Sequence, residues 1–230
     1  MKKAFSLIIC FSFATMVMSA GEPENIRIYV FGAAGISFPN EIVIAAIPSV
    51  YEINAKLKPA FHWAGGLGFS VSKNLRIEAE TALAASSIDD SRRSAEQIIG
   101  STFLRADGRV RSFRVLLTAW YDVPFGEAWT LSLGGGFGLD HVRLSHIVQW
   151  TEAVVPNPVP MESEVADDSG WTPGYHLGAA LSCRLSPRLF LELGGRYLGA
   201  ADAKFTNMYG AEFSTAWSAL ETRFVLRFGF

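Results

Sequence analysis

Cysteine is almost absent from this chain, and what remains cannot cross-link it. Only Cys10 and Cys183 occur in 230 residues, and Cys10 lies inside the apolar run Ala4–Val17, which a secretory cleavage would remove. With Cys183 alone left, an intrachain disulfide is excluded and the fold must hold by pairing and packing. Long apolar runs are missing too: after Ala20 no stretch approaches the roughly 18 to 20 residues that a spanning helix requires. Neither sign of charge prevails, with 20 basic against 22 acidic residues, so nucleic acid is not indicated as a partner. The four histidines, His62, His141, His146 and His176, lack the spacing of a metal site, and nothing implies a cofactor. No internal repeat or linker divides the chain, which predicts one domain.

What is present begins with a secretory signal. Lys2 and Lys3 precede the apolar run, and Met18-Ser19-Ala20 precedes the polar Gly21-Glu22-Pro23-Glu24, which predicts a signal peptide over 1–20 and a mature domain over 21–230. Cys10 follows Ile8-Ile9 deep in that run, so a lipoprotein anchor is not expected.

Beyond the signal, the chain alternates. Its last segment carries Leu220, Thr222, Phe224, Leu226, Phe228 and Phe230 on one parity and Glu221, Arg223 and Arg227 on the other. Successive side chains leave opposite faces of a strand, so this is a strand with an oily face and a charged one. The same pattern predicts strands at about Ile26–Phe38, Ala60–Val71, Leu75–Ala85, Val110–Val123, Trp129–Leu144, Pro173–Leu185 and Leu189–Ala200, with Ser214–Phe230 as the eighth. Three tight links (72–74, 124–128 and 186–188) alternate with four long ones (39–59, 86–109, 145–172 and 201–213). Short turns at one end and long loops at the other are the pattern of transmembrane barrels, with both termini on the turn side.

One parity holds Leu75, Ile77, Leu83, Phe113, Val115, Leu117, Tyr121, Leu131, Leu133, Phe137, Leu177, Leu181, Leu189, Leu191 and Leu193. The other holds Arg27, Arg76, Glu78, Glu80, Arg114, Asp122, Asp140, Arg184, Glu192, Arg196, Glu221, Arg223 and Arg227. These seven positive and six negative groups nearly cancel. A charge facing lipid at mid-bilayer costs about 2–4 kcal/mol, so the charged parity is placed inward, as a network of paired ions. Tyr29, Phe31, Trp120, Phe190 and Trp217 share that parity, and eight strands leave a lumen only wide enough for side chains, which predicts a plugged interior. Trp63, Tyr175 and Tyr197 on one rim, and Phe69, Tyr121, Trp129 and Phe230 on the other, are expected as interfacial girdles. A soluble lipocalin-like barrel has the same alternation with the faces exchanged.

The closing residues, Arg223-Phe224-Val225-Leu226-Arg227-Phe228-Gly229-Phe230, carry a further likeness. With the strand pattern, they make the chain resemble the OmpA/Opa/OmpX-type small outer-membrane β-barrel proteins over essentially all of 21–230. In that family the polar residue and the two aromatics of this segment, matched here by Arg223, Phe228 and Phe230, are read by the barrel assembly machinery; Val225 stands where the pattern usually has glycine. The resemblance implies insertion in the bacterial outer membrane, with outer-membrane lipid and lipopolysaccharide as surroundings. The expected fold is therefore all-β, an eight-stranded antiparallel up-and-down transmembrane β-barrel, monomeric.

Chemistry has few places to reside. Asp140 and His176 fall near the long-loop end on the inward parity, and a carboxylate opposite an imidazole, with Ser145 nearby, is the beginning of a rim hydrolase acting on lipid A or peptides. The competing reading makes both members of the luminal polar network, and Cys183 a small lipid-facing residue. The long segments carry Asp89, Asp90, Arg92, Arg93, Glu96, Arg105, Asp107 and Arg109, then Trp150, Pro156, Pro158, Pro160, Glu162, Glu164, Asp167 and Asp168, and suit binding of an extracellular ligand. Glu41–Tyr51, with its run Ile42–Ile47, is expected as a short helix or strand on the barrel mouth or as an apolar tip. The expected role is a non-enzymatic envelope or surface protein, with a small-solute channel, the rim hydrolase and the soluble ligand binder as alternatives.

Overall fold

Alternation of this kind demands extended backbone, and the computed structural model of the chain is built from strands throughout. It describes residues 28–47, 51–93, 97–98, 101–153 and 160–230; the predicted signal peptide and Arg27 lie outside them. The strands are β1 (Ile28–Pro39), β2 (Ile42–Ile47), β3 (Tyr51–Leu57), β4 (Ala60–Ser70), β5 (Leu75–Arg93), β6 (Gln97–Ile98), β7 (Ser101–Phe125), β8 (Trp129–Ala153), β9 (Pro160–Arg184), β10 (Leu189–Thr206) and β11 (Glu212–Gly229). No helix among the described residues is long and apolar enough to cross a membrane.

Eight of these strands close a ring in the order β1-β4-β5-β7-β8-β9-β10-β11, every pairing antiparallel, with β11 returning to β1 from Tyr29↔Gly229 to Pro39↔Ala219. Closure leaves no edge in the ring, the only way a sheet can satisfy its backbone in lipid. At one end the links are tight. Leu75 is folded back on Val71 and Ser72, Leu189 on Leu185 and Ser186, and the third link turns at Gly126, whose φ of 72° favours glycine.

The other end differs from the long loops expected there. β5, β7, β8, β9, β10 and β11 all run past the predicted strand ends, and β1 continues as β2 while β3 leads into β4. The pairs β2–β3 and β1–β4 keep one register, Ile42↔Ala55 following Ser37↔Ala60. Most of the predicted loop residues are therefore ladder. The run Ile42–Ile47 is a strand, with Ile42 and Ile44 buried. The outcome is one tall barrel with a lower part near the turns and an extension above it.

On the lower part the outer face is apolar. Phe113, Val115, Leu117, Tyr121 and Val123 of β7 and Leu131, Leu133, Phe137 and Leu139 of β8 are all exposed. At about 3.3 Å per residue and a tilt near 40°, Phe113 to Val123 spans about 25 Å, the height of a bilayer's apolar band. The aromatics expected at the rims, Trp63, Tyr175 and Tyr197 above and Phe69, Tyr121, Trp129 and Phe230 below, are exposed on this wall. In the extension the faces exchange. Its interior is a hydrophobic core of Ile42, Ile44, Ile53, Leu57, Ile88, Val142, Leu144, Ile147, Val165, Phe205 and Phe213, while Arg105, Asp107, Arg109, Arg143 and Asp167 face out.

Candidate functional site

Inside the lower part, the inward parity of five strands delivers its charges into one narrow space. Arg76 on β5 lies between three carboxylates: its Nε contacts Asp122 at 3.1 Å, its Nη2 contacts Glu192 at 3.0 Å, and its Nη1 binds Glu78. The same acids are held from other strands. Tyr29 Oη and Trp120 Nε1 each donate to Glu78 at 2.8 Å, Ser132 Oγ donates to Asp122 at 2.6 Å, and Arg227 reaches Glu192 at 3.2 Å. The guanidinium of Arg76 also lies 5.1 Å from the Trp120 ring centre, within cation–π range.

A second cluster sits one storey higher. Glu80 receives Arg196 and Arg223, each at 2.7 Å, and Glu221 receives Arg114 at 2.6 Å and Arg196 at 2.8 Å. Arg196 thus bridges two glutamates from strands on different sides of the ring. His62 Nε2 lies 3.8 Å from Glu221. Such charge-assisted bonds are the strong ones, and every partner here is almost fully buried. Close packing around them depends on residues without side chains. A Cβ on Gly134 would meet Trp120, and one on Gly68 would meet the Tyr29 ring.

Of the thirteen residues assigned inward from sequence, eleven line this space. Arg27 is outside the described residues. Arg184 corrects the assignment: it lies beyond the last β8–β9 rung at Cys183, its side chain is exposed, and its Nη2 donates to the Glu127 carbonyl in the neighbouring turn at 2.8 Å. Parity gives a side chain's face but not whether the lumen still encloses it, and at the strand end water competes for a guanidinium. Five arginines therefore meet six carboxylates among the described luminal residues.

The Asp140–His176 dyad is not formed. In the ladder Asp140 stands opposite Thr172 and His176 opposite Gly136. Each has its own small partner: Ser112 Oγ donates to Asp140 at 2.8 Å, and Thr118 Oγ1 is 2.8 Å from His176 Nε2. Ser145 leaves the opposite face of β8 from Asp140, so nucleophile and acid are divided by the wall.

The extension assembles one group that spacing in the sequence did not show. His146, at a φ of 48° inside the first of two successive register shifts of the β8–β9 ladder, brings a ring nitrogen together with carboxylates of Glu164 and Asp167, their ligand atoms within 4.8 Å of one another. All three are exposed, and Arg143 stands 3.8 Å from Asp167, where its guanidinium competes with any cation. Only the double bulge re-aims His146, and bulges carry little sequence signal.

A closed ring, an apolar outer band of bilayer height and a charged interior define a transmembrane β-barrel. Solved structures of similar architecture include Neisserial surface protein A, at 13% identity over 90% of this chain and 100% of that one with a TM-score of 0.47. The outer membrane protein OprG from Pseudomonas aeruginosa shares 12% identity over 91% of this chain and 98% of its own, TM-score 0.47. A major outer membrane protein from Thermus thermophilus shares 13% over 90% and 100%, TM-score 0.48. No protein-family model and no curated protein matches the chain in sequence.

Proposed function

We propose that this chain is a non-enzymatic outer-membrane barrel whose lumen is closed by its own side chains and whose extension, on the extracellular side, presents a rigid surface to the environment. The observation that carries this reading is the lower lumen. Trp120, Arg76, Arg114, Arg196, His62, His176 and Glu80 are all less than 2% exposed there, and the pairs Arg76–Glu192, Arg114–Glu221, Arg196–Glu80 and Arg223–Glu80 join strands that are not neighbours, so they reach across the barrel. A solute would have to break several buried pairs to pass. Separated partners for Asp140 and His176 support the absence of catalysis.

In this reading Arg223, Phe228 and Phe230 act once, during assembly, through the barrel assembly machinery. Phe228 and Phe230 stand exposed on the outer wall in an edge-to-face pair with ring centres 5.6 Å apart, where a membrane-bound partner would meet them, and Arg223 then turns inward to Glu80. The barrel works as a monomer, surrounded by outer-membrane lipid and lipopolysaccharide.

The test is electrical. Purified protein reconstituted in planar bilayers is expected to give no stepwise conductance, while its band in cold SDS runs compact and shifts on boiling. Reproducible unitary steps from the folded species would replace the plugged barrel with the channel reading.

A further inference from the structure

Two arginines face each other on the outside of the barrel, where the apolar band ends. Arg111 of β7 and Arg143 of β8 are directly opposed in the ladder, and both are exposed. Like charges at opposed positions repel, with Cβ atoms only about 5 Å apart. Arg109 follows two residues along the same face, and Lys58 joins Arg109 and Arg111 around a hollow of about 420 Å³ that also contains Asp107. The acids nearby leave the cations in excess. Asp89 lies 3.7 Å from Lys58 and Asp167 lies 3.8 Å from Arg143, whereas Arg109 and Arg111 have no ion pair among the described residues.

The rung below these arginines is oily. Phe113 stands opposite Leu83 on one side and His141 on the other, and Trp63 is opposite Leu83. Phe61, Trp63, Leu83 and Phe113, all exposed, line a second, open hollow of about 690 Å³ whose upper edge is formed by Arg111 and Arg143. Trp171 packs edge-to-face on Phe113 at 6.3 Å and against His141 at 4.9 Å, the aromatic level at which a membrane meets water. Cations in water directly above an apolar slot in lipid complement a molecule with the same division.

We infer that Arg111 and Arg143, with Arg109 and Lys58 beside them, hold the phosphate of an anionic outer-leaflet lipid, a phosphorylated glycolipid whose acyl chains lie in the slot below. Arginine suits this role because its planar fork binds phosphate oxygens in pairs, and an anion between the two guanidinium groups turns their repulsion into attraction. The inference rests on the reading above that the extension lies outside the cell.

The experiment is native mass spectrometry of the full barrel in detergent with added diphosphoryl lipid A or its phosphate-free form. The wild type is expected to retain the diphosphoryl lipid preferentially. The double variant Arg111→Ser/Arg143→Ser should lose about tenfold or more in retention, taking roughly 1 kcal/mol per cation near a membrane surface. Arg111→Ser alone should lose part of it, and Arg184→Ser, at the other end of the barrel, none. Indifference to phosphorylation, an unaffected double variant, an equal loss in Arg184→Ser, or displacement by millimolar inorganic phosphate would each overturn the assignment to a lipid. Each sample is first checked for the heat-dependent shift in SDS; a wild-type chain without that shift would overturn the barrel itself rather than this site alone.

Discussion

The lower barrel and its extension are built from the same strands and solve opposite problems. Along β10 the inward positions read Glu192, Gly194, Arg196, Leu198, Ala200, then Ala203 and Phe205; along β11, read upward, they read Arg227, Val225, Arg223, Glu221, Ala219, Trp217, then Thr215 and Phe213, so that in the charged stretch of β11 only Val225 is apolar. Charge gives way to hydrocarbon at one height around the ring. Below that height the outside is lipid, so apolar side chains gain nothing by turning inward, and the lumen takes the polar residues that the wall cannot carry. Above it the outside is water, and only an apolar interior drives the strands together. The soluble-barrel pattern and the membrane-barrel pattern both occur in this molecule, stacked.

If the lower storey is held by ion pairs, removing one acid should do the greatest harm. Glu221→Ala leaves Arg114 and Arg196 without the carboxylate they share, and an uncompensated buried charge costs about 3–5 kcal/mol. Urea unfolding in micelles is expected to show that loss; a change below about 1 kcal/mol would mean that water screens the lumen and the plug is loose.

The upper storey should fail differently. Leu144, fully buried in the extension core, is expected to cost about 2–5 kcal/mol as Leu144→Ala. The cost should appear locally, as faster proteolysis or hydrogen exchange in the extension, with the heat-dependent shift of the barrel intact. Loss of both together would show that the two parts form one cooperative unit.

This division also explains what could be read from the chain in advance. The lower barrel was legible because parity is unbroken there: Arg76, Glu78 and Glu80, or Arg223 and Arg227, keep the inward face while leucine and phenylalanine keep the outer. Predicted strands ended at Leu144 and Ala200, where register shifts fall between Leu144 and Ile147 and between Ala200 and Ala203. A bulge moves the inward face to the other parity, so Ile147 and Ala203 are buried although even-numbered residues point inward below them. At Asn40–Glu41 and Lys58–Pro59 breaks between strands do the same, from Ser37 to Ile42 and from Leu57 to Ala60. Outward arginines and aspartates then made the remainder resemble solvated loops. The Arg111–Arg143 pair was hidden for another reason: it needs the register between two strands, which neither strand's own pattern contains.

A charge placed on the outer face separates the storeys by their solvent. Leu117, half exposed near the middle of the apolar band, should cost about 2–4 kcal/mol as Leu117→Arg. Val43, on the outer face of β2 in the extension, should tolerate Val43→Arg within about 0.5 kcal/mol. Equal costs at the two positions, measured by the same unfolding assay, would place the membrane boundary elsewhere.

The smallest effect tests how tightly the lumen is filled. Gly134 and Gly32 both lie in strands of the lower barrel, but Gly134 faces Trp120 whereas nothing lies within 4 Å of a Cβ built on Gly32. Gly134→Ala pushes a methyl group against the indole and the Ala119 carbonyl, and overpacking of this kind costs about 1–3 kcal/mol. Gly32→Ala meets no neighbour and removes backbone freedom from the unfolded chain, so it should gain about 0.5–1 kcal/mol. The sign difference is the useful quantity, because both substitutions add the same methyl group to the same kind of strand. If Gly134→Ala were as well tolerated as Gly32→Ala, Trp120 would have room to move, and a lumen with that much room would no longer be closed by its side chains.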